Sequence, residues 1–405
     1  MEKRVRVFAP ALMAIIVDAM GFGLVYPLMT ELFAGQEGLH MAAGMSLQLR
    51  HFYLGLTFLL YPLAAFFGAS WMSDLANIYG RKKILGFCMA GQAVSFLLMG
   101  LGVEFFTIVL LLIGRTLSGV MAGSQPLAQS AIIDHSTASK KGRNLVYVTL
   151  VVSAGIVLGP LMGGIFSDEK LLSWFTLSTP FYIAAALALL TTLWVAIRFP
   201  KDAHSSGHLH WTRPLSILRE GFANPKLRPL VLVFLCMQVG FSLFYQMIQI
   251  FVSTLFSFPT WEIGVFNGFL GIAFVLVVLF GIKCFLKFLT VEKLASLSLL
   301  LTGIFLILPM IYPQETFVWL MAFLAAGFNM MAYGSLMACF ASSVDISEES
   351  WAVGLFSCLV GVSWTLTGFA TNLISIIGLR WLISIGGFFL LISYFLMARG
   401  TAKQS

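Results

Sequence analysis

The chain has 405 residues, of which 59% are hydrophobic and only 10% are charged, and its mean hydropathy is +0.95. Soluble globular domains typically carry about 25% charged residues, so this composition excludes a soluble protein and predicts a chain surrounded mostly by lipid. The formal net charge of +7 does not indicate a nucleic-acid partner, because the basic residues stand in small clusters beside apolar segments, as membrane topology signals do.

Twelve apolar segments are long enough to cross a bilayer, which takes about 20 residues each. The first is longer than the apolar part of a signal peptide, so we expect it to be retained as a span. We number the predicted spans helix 1 to helix 12. They lie near residues 7–33, 51–73, 84–103, 105–134, 144–166, 177–198, 229–256, 262–282, 291–311, 316–343, 351–376 and 380–398.

The distribution of basic residues predicts how these spans are oriented. Apart from Arg115 within helix 4 and Arg50, Lys170 and Arg380 between spans, every Lys and Arg falls at the N-terminus, at the C-terminus, or on every second connection. Because cytoplasmic loops carry the excess of Lys and Arg, we expect a multi-pass protein of the cell inner membrane with both termini in the cytoplasm.

One polar stretch, residues 199–228, divides the spans six and six. It predicts an N-terminal six-helix bundle over 1–198, a cytoplasmic linker over 199–228 and a C-terminal six-helix bundle over 229–405. The linker histidines His204, His208 and His210 could bind a metal. A solvated linker is favoured because no acidic or Cys partner accompanies them, and we expect no metal and no cofactor.

A short internal repeat supports two related bundles. Gly21 to Tyr26 in helix 1 (GFGLVY) aligns with Gly240 to Tyr245 in helix 7 (GFSLFY), and Gly159-Pro160 in helix 5 falls opposite Gly368-Phe369 in helix 11. Matches at equivalent helices of two equal halves indicate duplication. The predicted fold is an all-α membrane protein with twelve transmembrane helices in two pseudo-symmetric six-helix bundles.

Two ionisable residues are predicted near the middle of the bilayer. Asp18 lies about 17 Å into helix 1, and Arg115 lies at a similar depth in helix 4. A charge there costs at least about 2.5–3.5 kcal/mol, so each residue needs a partner or water, and we expect them to pair. A static pair that only locks two helices is one interpretation. The other is a proton switch, in which Asp18 is protonated when the pair separates. Asp18 aligns with Met237, which would restrict this chemistry to the first half.

The stretch between helices 2 and 3 is polar and is expected to form a loop with a tight turn at Gly80. Helix 5 contains small residues that permit close helix contact, and a proline that permits a bend. The candidate gating residues are Asp74, Asn77, Gly80 and Arg81 in the 73–83 stretch, Asp134 and Arg143 between helices 4 and 5, and Gly155, Gly159, Pro160, Gly163 and Gly164 in helix 5.

These stretches resemble the major facilitator superfamily, in particular its twelve-helix drug:proton antiporter branch, which includes the tetracycline exporters. Residues 73–83 are similar to the superfamily's helix 2–3 signature, and Gly155 to Gly164 are similar to the antiporter signature of helix 5. Gly114, Arg115 and Gly119 are similar to the helix 4 arginine motif. Asp18 stands at the position of that branch's helix 1 acid.

The resemblance implies alternating access around a central cavity and proton-driven export of small amphipathic molecules by a monomer. It also implies that Arg81 pairs with Asp134 to latch the cytoplasmic side in the outward-facing state. The chain departs from the signature at Ser73, at Ile78 and at Asn77, which replaces an Asp and cannot supply its charge. Asp74 is a possible substitute for that missing charge.

Polar residues at helical spacing are candidates for binding the substrate, with helix-to-helix hydrogen bonding as the alternative. Helix 7 offers four of them at spacings of i, i+4, i+7 and i+11. The full set of candidates is Gln125 in helix 4, Gln238, Ser242, Tyr245 and Gln249 in helix 7, Asn267 in helix 8, Asn329 and Tyr333 in helix 10, and Trp364 in helix 11.

Other functions remain open at the level of sequence. A proton-coupled importer of a metabolite or iron chelate would have the same fold, because direction rests on the helix 5 signature. A non-transporting receptor is disfavoured because the chain contains no long soluble segment. An enzyme is not expected, because no HExxH sequence, paired intramembrane aspartates or Ser/Lys site appears.

Overall fold

A computed structural model of the chain describes residues 2–34, 41–42, 44–200, 208–344 and 349–401. Within these ranges the regular elements are helical, and twelve helices are long and apolar enough to span a membrane. Helices suit this setting because they satisfy every backbone hydrogen bond internally. The predicted fold class is confirmed.

The helices keep the numbers of the predicted spans, and the helix in the linker is called the linker helix. The first half comprises helix 1 (Glu2–Ala34), helix 2 (Leu47–Tyr79), helix 3 (Arg81–Glu104), helix 4 (Ile108–Val120, a 3₁₀ turn at Met121–Gly123, then Ser124–Asp134), helix 5 (Ala138–Ile165) and helix 6 (Thr179–Arg198). The linker helix is Arg213–Ala223.

The second half repeats this count. It comprises helix 7 (Arg228–Phe256), helix 8 (Thr260–Leu276, a π-helical turn at Val277–Gly281, then Ile282–Phe285), helix 9 (Val291–Ile311), helix 10 (Glu315–Ala341), helix 11 (Glu349–Ala370, a 3₁₀ turn at Thr371–Leu373, then Ile374–Ile377) and helix 12 (Leu379–Thr401).

The connection between helices 2 and 3 differs from the prediction. The 73–83 stretch was expected to be a loop, but helix 2 continues to Tyr79 and helix 3 begins at Arg81. Gly80 alone makes the turn, with φ at 90°, which glycine adopts without steric cost. The loop prediction was wrong because a helix can extend beyond the apolar part of its sequence, and polar residues do not end it.

The contacts between residues divide the chain into two compact units. Unit 1 contains Met1–Gly44, Leu60–Trp211 and Phe258–Gly268, and unit 2 contains Met45–Leu59, Thr212–Ser257 and Phe269–Ser405. Each unit therefore consists of one half of the chain with a short segment exchanged. The domain boundaries at 198 and 228 stay predictions.

Small residues explain both exchanged segments. In unit 2, a Cβ atom on Gly368 of helix 11 would lie 2.7 Å from the backbone nitrogen of Leu59 in helix 2. In unit 1, a Cβ on Gly164 of helix 5 would lie 3.1 Å from the Cα of Gly264 in helix 8. Only glycine permits such close backbone approach, so these contacts fix the segments in their units.

Two residues in the described part of the linker contact different helices. In unit 1, the Trp71 indole of helix 2 donates to the carbonyl oxygen of Trp211 at 3.3 Å. In unit 2, the indole of Trp351 in helix 11 donates to a carboxylate oxygen of Glu220 in the linker helix at 2.8 Å. The described part of the linker is thus held to the bundles by specific contacts.

Candidate functional site

The position of Asp18 follows from how helix 1 packs against helix 5. A Cβ on Gly155 would lie 2.6 Å from the Cβ of Ala19, and a Cβ on Gly159 would lie 2.9 Å from the backbone nitrogen of Leu24. Gly163 continues this stripe against the next turn of helix 1. The glycine stripe therefore brings the backbone of helix 5 into contact with the two turns of helix 1 that follow Asp18.

The other face of this part of helix 5 meets helix 8. The carbonyl oxygen of Pro160 would lie 2.6 Å from a Cβ on Gly264, and a Cβ on Gly164 would lie 2.9 Å from the Cα of Trp261. Each predicted glycine of helix 5 therefore makes a close contact within unit 1: Gly155, Gly159 and Gly163 with helix 1, and Gly164 with helix 8. The structure thus brings the first three together with the helix that bears the buried acid.

Asp18 is 3% exposed and is held by two neutral donors. Its Oδ1 accepts a hydrogen bond from Nε2 of Gln92 in helix 3 at 2.9 Å and another from Oγ of Ser124 in helix 4 at 2.8 Å. A buried carboxylate needs such donors because burying an unpartnered charge costs several kcal/mol. The donors make an ionised Asp18 tolerable at this position.

The Gln92 amide is held in one orientation by Ser118. The Ser118 hydroxyl donates to Oε1 of Gln92 at 2.8 Å, and Nε2 of Gln92 donates to the Ser118 carbonyl oxygen at 3.2 Å as well as to Asp18. This network fixes which end of the amide faces the carboxylate. Helices 1, 3 and 4 therefore meet in one buried polar network.

Arg115 is 1% exposed and lies over an aromatic ring. Its guanidinium carbon is 4.6 Å from the ring centroid of Tyr61 in helix 2, close enough for a cation–π interaction. The ring of Phe22 in helix 1 lies 5.5 Å from the same Tyr61 ring. Both predicted charges are thus buried within unit 1, and the pairing of Asp18 with Arg115 stays a prediction.

Sequence reasoning missed Gln92, Ser124 and Tyr61. Gln92 and Ser124 lie 74 and 106 residues from Asp18 along the chain. Helical spacing relates residues within one helix and cannot join three helices. The available signal was the presence of polar side chains in strongly apolar spans, where they tend to be functional or to bond between helices.

The helix 7 stripe is buried in unit 2. Gln238, Ser242, Tyr245 and Gln249 are each 5% exposed or less. The hydroxyl of Thr367 in helix 11 donates to Oγ of Ser242 at 3.0 Å. The four candidates are therefore buried, but so is every residue of helix 7 from Gly240 to Ser253, and burial does not single out one face.

Trp364 of helix 11 belongs to the same cluster. Its ring lies 5.7 Å from that of Tyr245 in an edge-to-face arrangement, and its carbonyl oxygen accepts a hydrogen bond from Nε2 of Gln246 at 3.3 Å. Gln246 is fully buried and was not among the candidates. Helices 7 and 11 are therefore joined by contacts among Ser242, Tyr245, Gln246, Trp364 and Thr367. Gln249 donates to the carbonyl oxygen of Tyr245 in its own helix at 3.3 Å. We call these residues, together with Gln249 and the buried Gln238 of the same stripe, the helix 7–11 cluster.

The remaining candidates are more dispersed. Asn329 is 5% exposed, and within the described residues its Oδ1 has no hydrogen-bond partner. Tyr333 packs among the rings of Phe234 and Phe356, at 5.6 and 6.3 Å. Asn267 donates to Ile263 of its own helix at 2.8 Å. Tyr333 therefore has a packing role, and Asn267 is occupied within its own helix.

Gln125 lies in unit 1, one residue after Ser124, and is half-buried. Asn267 belongs to the same unit, whereas the helix 7, helix 10 and helix 11 candidates belong to unit 2. Both units thus contribute to the predicted set.

The gating candidates lie near the turn at Gly80. Arg81 forms an ion pair with Asp134 at the end of helix 4, and both side chains are partly exposed, at 30% and 51%. Asn77 is exposed. Arg143 lies in helix 5, but its side chain falls outside the described residues. The pairing expected for Arg81 is present, and its latching role stays a prediction.

Asp74 contacts the linker. It is 3% exposed, and its Oδ2 accepts a hydrogen bond from the backbone nitrogen of His210 at 3.0 Å, with Nδ1 of that histidine 3.6 Å away. The carboxylate that was considered a substitute for the missing Asp at position 77 therefore joins helix 2 to the linker.

Comparison with known proteins identifies the family. The model of the Major Facilitator Superfamily matches residues 11–344. The chain is 30% identical to the class G tetracycline resistance protein of Vibrio anguillarum over 233 residues, 56% of this chain and 55% of that protein. It is 29% identical to the class B protein of Escherichia coli over 192 residues, 47% and 43% of the two chains. The matched part thus spans about half the length of these relatives.

A longer match and two solved structures agree with this assignment. The quinolone resistance protein NorA of Staphylococcus aureus strain MRSA252 is 25% identical over 284 residues, 69% of this chain and 70% of that protein. The human organic anion transporter MFSD10 has a TM-score of 0.72 at 15% identity, covering 97% and 99% of the chains. The POT family transporter PepTSo has a TM-score of 0.75 at 12% identity, covering 98% and 99%. The chain belongs to the Major Facilitator Superfamily.

Proposed function

We propose that this chain is a proton-coupled antiporter of the cell inner membrane that exports small amphipathic molecules by alternating access. The observation that carries the proposal is the buried carboxylate of Asp18, held by the neutral donors Gln92 and Ser124. The relatives named for tetracycline and quinolone resistance support both the coupling and the substrate class. The positive-inside distribution supports cytoplasmic termini, and we take the transporter to be a monomer.

Asp18 would take up and release the proton. Gln92 can only donate to it, so that contact favours the ionised carboxylate. The Ser124 hydroxyl can donate to the carboxylate and can also accept from the protonated acid after rotating about its C–O bond. Ser124 would therefore serve both protonation states without any movement of the helices.

Arg115 would set how readily Asp18 is protonated. A guanidinium stays charged in proteins, so its approach favours the ionised acid and its withdrawal favours proton uptake. The Tyr61 ring offers a face on which the cation can rest at 4.6 Å. Movement of Arg115 between the ring and the acid would link helix motion to proton exchange.

Substrate recognition would fall to the helix 7–11 cluster and Asn329 of unit 2, and Gln125 and Asn267 of unit 1 stay separate candidates. Ligand sites are mostly apolar and aromatic with a few polar groups that fix orientation, and the pairing of Tyr245 with Trp364 beside Ser242 supports such a role. Asn329 offers a buried carbonyl oxygen that a ligand donor could satisfy. Because these groups are neutral, they would accept amphipathic molecules of varied charge.

The glycine stripe and the Arg81–Asp134 pair would govern the conformational change. Close backbone contact between helices 1 and 5 would let movement of one helix reach Asp18 on the other. An exposed ion pair contributes roughly 1 kcal/mol or less, so Arg81 and Asp134 can separate at low cost. That property suits a latch that must open in every cycle.

Proton movement in proteoliposomes tests the proposal. A pH-sensitive dye inside the vesicles is monitored while tetracycline, or a quinolone, is added outside; protein-free vesicles correct for passive entry of the drug. Antiport predicts that protons leave the lumen as the drug enters. Acidification of the lumen would instead show symport and import, and drug binding without any flux would indicate a receptor.

A further inference from the structure

Unit 1 contains a second polar site, at the C-terminal end of helix 1. An open cavity of about 1080 Å³ is lined by the ends of helices 1 and 3, the segment before helix 6, the start of helix 6 and Thr260. Glu31 in its wall follows Asp18 by 13 residues, about 20 Å along helix 1. The cavity is therefore separate from the Asp18 network.

The walls of this cavity are strongly acidic. Glu31, Glu104, Asp168 and Glu169 line it, and among the described lining residues only Lys170 carries the opposite charge. The chain has only 17 acidic residues and a formal net charge of +7, so nearly a quarter of its carboxylates converge on one cavity. A cleft lined by one sign of charge concentrates ions of the opposite sign. The cavity should attract cations.

Neutral hydrogen-bond donors orient two of these carboxylates, those of Glu104 and Asp168. The Tyr182 hydroxyl donates to the carboxylate of Glu104, and Thr260 lines the cavity together with Glu31. Asp168 accepts a hydrogen bond from the backbone nitrogen of Lys170 at 2.9 Å. Both of these donors are neutral, so they orient the carboxylates without cancelling the negative charge.

Aromatic side chains complete the walls. Trp174 is 62% exposed and Phe106 is 54% exposed, and both line the cavity. Phe106 adopts φ of 52°, a left-handed conformation that costs a residue with a side chain roughly 1–2 kcal/mol, and it follows the C-cap of helix 3. The backbone at Phe106 therefore carries strain that glycine would avoid, and the Phe106 ring forms part of the cavity wall.

We propose that this cavity binds organic cations, with an ammonium group against Glu31 and Glu104 and the apolar part of the ligand against Trp174 and Phe106. Aromatic faces attract cations in addition to the carboxylates, and the volume accommodates a drug-sized molecule. The ligand is either a free amphipathic cation or the ammonium headgroup of a lipid. Binding here does not depend on transport or on Asp18, so this proposal and the proposed function can fail separately.

Quenching of tryptophan fluorescence provides a test with a local readout. The full chain in lipid nanodiscs is titrated with a nitroxide that bears a trimethylammonium group and, separately, with its neutral hydroxyl analogue. We expect the cationic nitroxide to give a saturable quenching component that disappears in Trp174→Phe. The neutral analogue should give no saturable component.

Charge-neutral variants decide whether the carboxylates bind the probe. The Glu31→Gln/Glu104→Gln variant should raise the half-saturating concentration by about tenfold, as expected for the loss of two partly screened attractions. The control Glu292→Gln/Glu315→Gln removes two exposed carboxylates of unit 2 and should leave it unchanged. If the double variant does not fold, Glu104→Gln alone should give about a threefold increase.

Nanodiscs of two compositions identify the source of the ligand. The anionic phosphatidylglycerol surface itself concentrates the cationic nitroxide, so the free concentration is first corrected with protein-free nanodiscs of each composition. If half-saturation then requires more nitroxide in phosphatidylethanolamine than in phosphatidylglycerol, the lipid ammonium headgroup occupies the cavity. Equal values identify a site for free cations. The proposal is overturned if the neutral analogue quenches as saturably as the cation, if Trp174→Phe keeps the saturable component, or if the charge-neutral variants bind the cation as tightly as the original chain.

Discussion

Helix 1 and helix 7 occupy equivalent places in the internal repeat, yet they bury different chemistry. Helix 1 buries Asp18 in a network with Gln92 and Ser124 of its own unit. At the aligned position helix 7 has Met237, which is fully buried, and its polar stripe, represented by Ser242, is neutral. Duplication thus supplied two similar frameworks, and only one of these two helices contains acidic side chains.

The difference between helices 1 and 7 places two conflicting chemical requirements in different parts of the molecule. A proton-exchanging carboxylate needs donors and a nearby cation to tolerate burial, whereas recognition of varied amphipathic molecules favours neutral polar and aromatic surface. Under the proposed function, Asp18 and Arg115 of unit 1 would meet the first requirement, and the helix 7–11 cluster of unit 2 would meet the second. The comparison therefore predicts that coupling and recognition can be altered independently.

Moving the acid to the other helix should have the largest effect. Met237→Asp should destabilise the protein by at least about 2.5 kcal/mol, and by more than Met237→Asn does, because the carboxylate enters an apolar span without a prepared set of donors. Unfolding in mixed micelles measures the difference. The Asp18→Asn/Met237→Asp variant should not recover uphill transport; recovery would show that either bundle can host the coupling acid.

Removal of a donor to Asp18 should have the next largest effect. Gln92→Leu should lower the rate of proton-driven transport by about tenfold to a hundredfold, since a hydrogen bond to a charged group contributes about 1.5–3 kcal/mol. Ser95→Ala is the matched control, because Ser95 is buried in the same helix but donates only to its own helix, at 2.6 Å to Gly91. Equal rates in the two variants would contradict the role of Gln92.

The glycine stripe should matter for both stability and transport. Gly159→Ala places a methyl group 2.9 Å from the backbone nitrogen of Leu24 and should cost about 1–3 kcal/mol of stability. Gly86→Ala is the control, because its methyl group would meet only Val195, at 3.9 Å, and should stabilise helix 3 by up to about 1 kcal/mol. Thermal unfolding in detergent compares them, and equal melting temperatures would contradict the packing account.

The smallest effect is expected at the exposed ion pair. A double-mutant cycle with Arg81→Ala and Asp134→Ala should give a coupling energy of about 0.2–1 kcal/mol, since both side chains are partly exposed. Unfolding measurements on the two single variants and the double variant supply it. A coupling energy above about 3 kcal/mol would show that the pair is too strong to act as a latch that opens in every cycle.

The framework was predictable because apolar length is a strong signal in a membrane protein. Helix 9 was predicted at 291–311 and is found at Val291–Ile311. The end of helix 2 was not predicted, because Ser73, Asp74 and Asn77 suggest a loop by their polarity. A helix can continue beyond the hydrocarbon, where Asn77 is exposed and the linker provides a hydrogen-bond donor for Asp74.

The site was predictable only in part. Asp18 and Arg115 were found because a charge in the middle of an apolar span is costly and needs a reason. Their surroundings were not found, since Gln92, Ser124 and Tyr61 come from other helices and helical periodicity carries no information across helices. The helix 7 stripe was found because all of its members lie on one helix.

Uphill transport by Asp18→Asn tests the central claim most directly. Proteoliposomes are loaded with tetracycline for equilibrium exchange, and a proton gradient is then imposed to drive accumulation. The account predicts that Asp18→Asn exchanges the drug across the membrane at a rate near that of the original chain but accumulates none against its gradient. Accumulation at the original level would contradict the assignment of Asp18 as the residue that couples proton flow to transport.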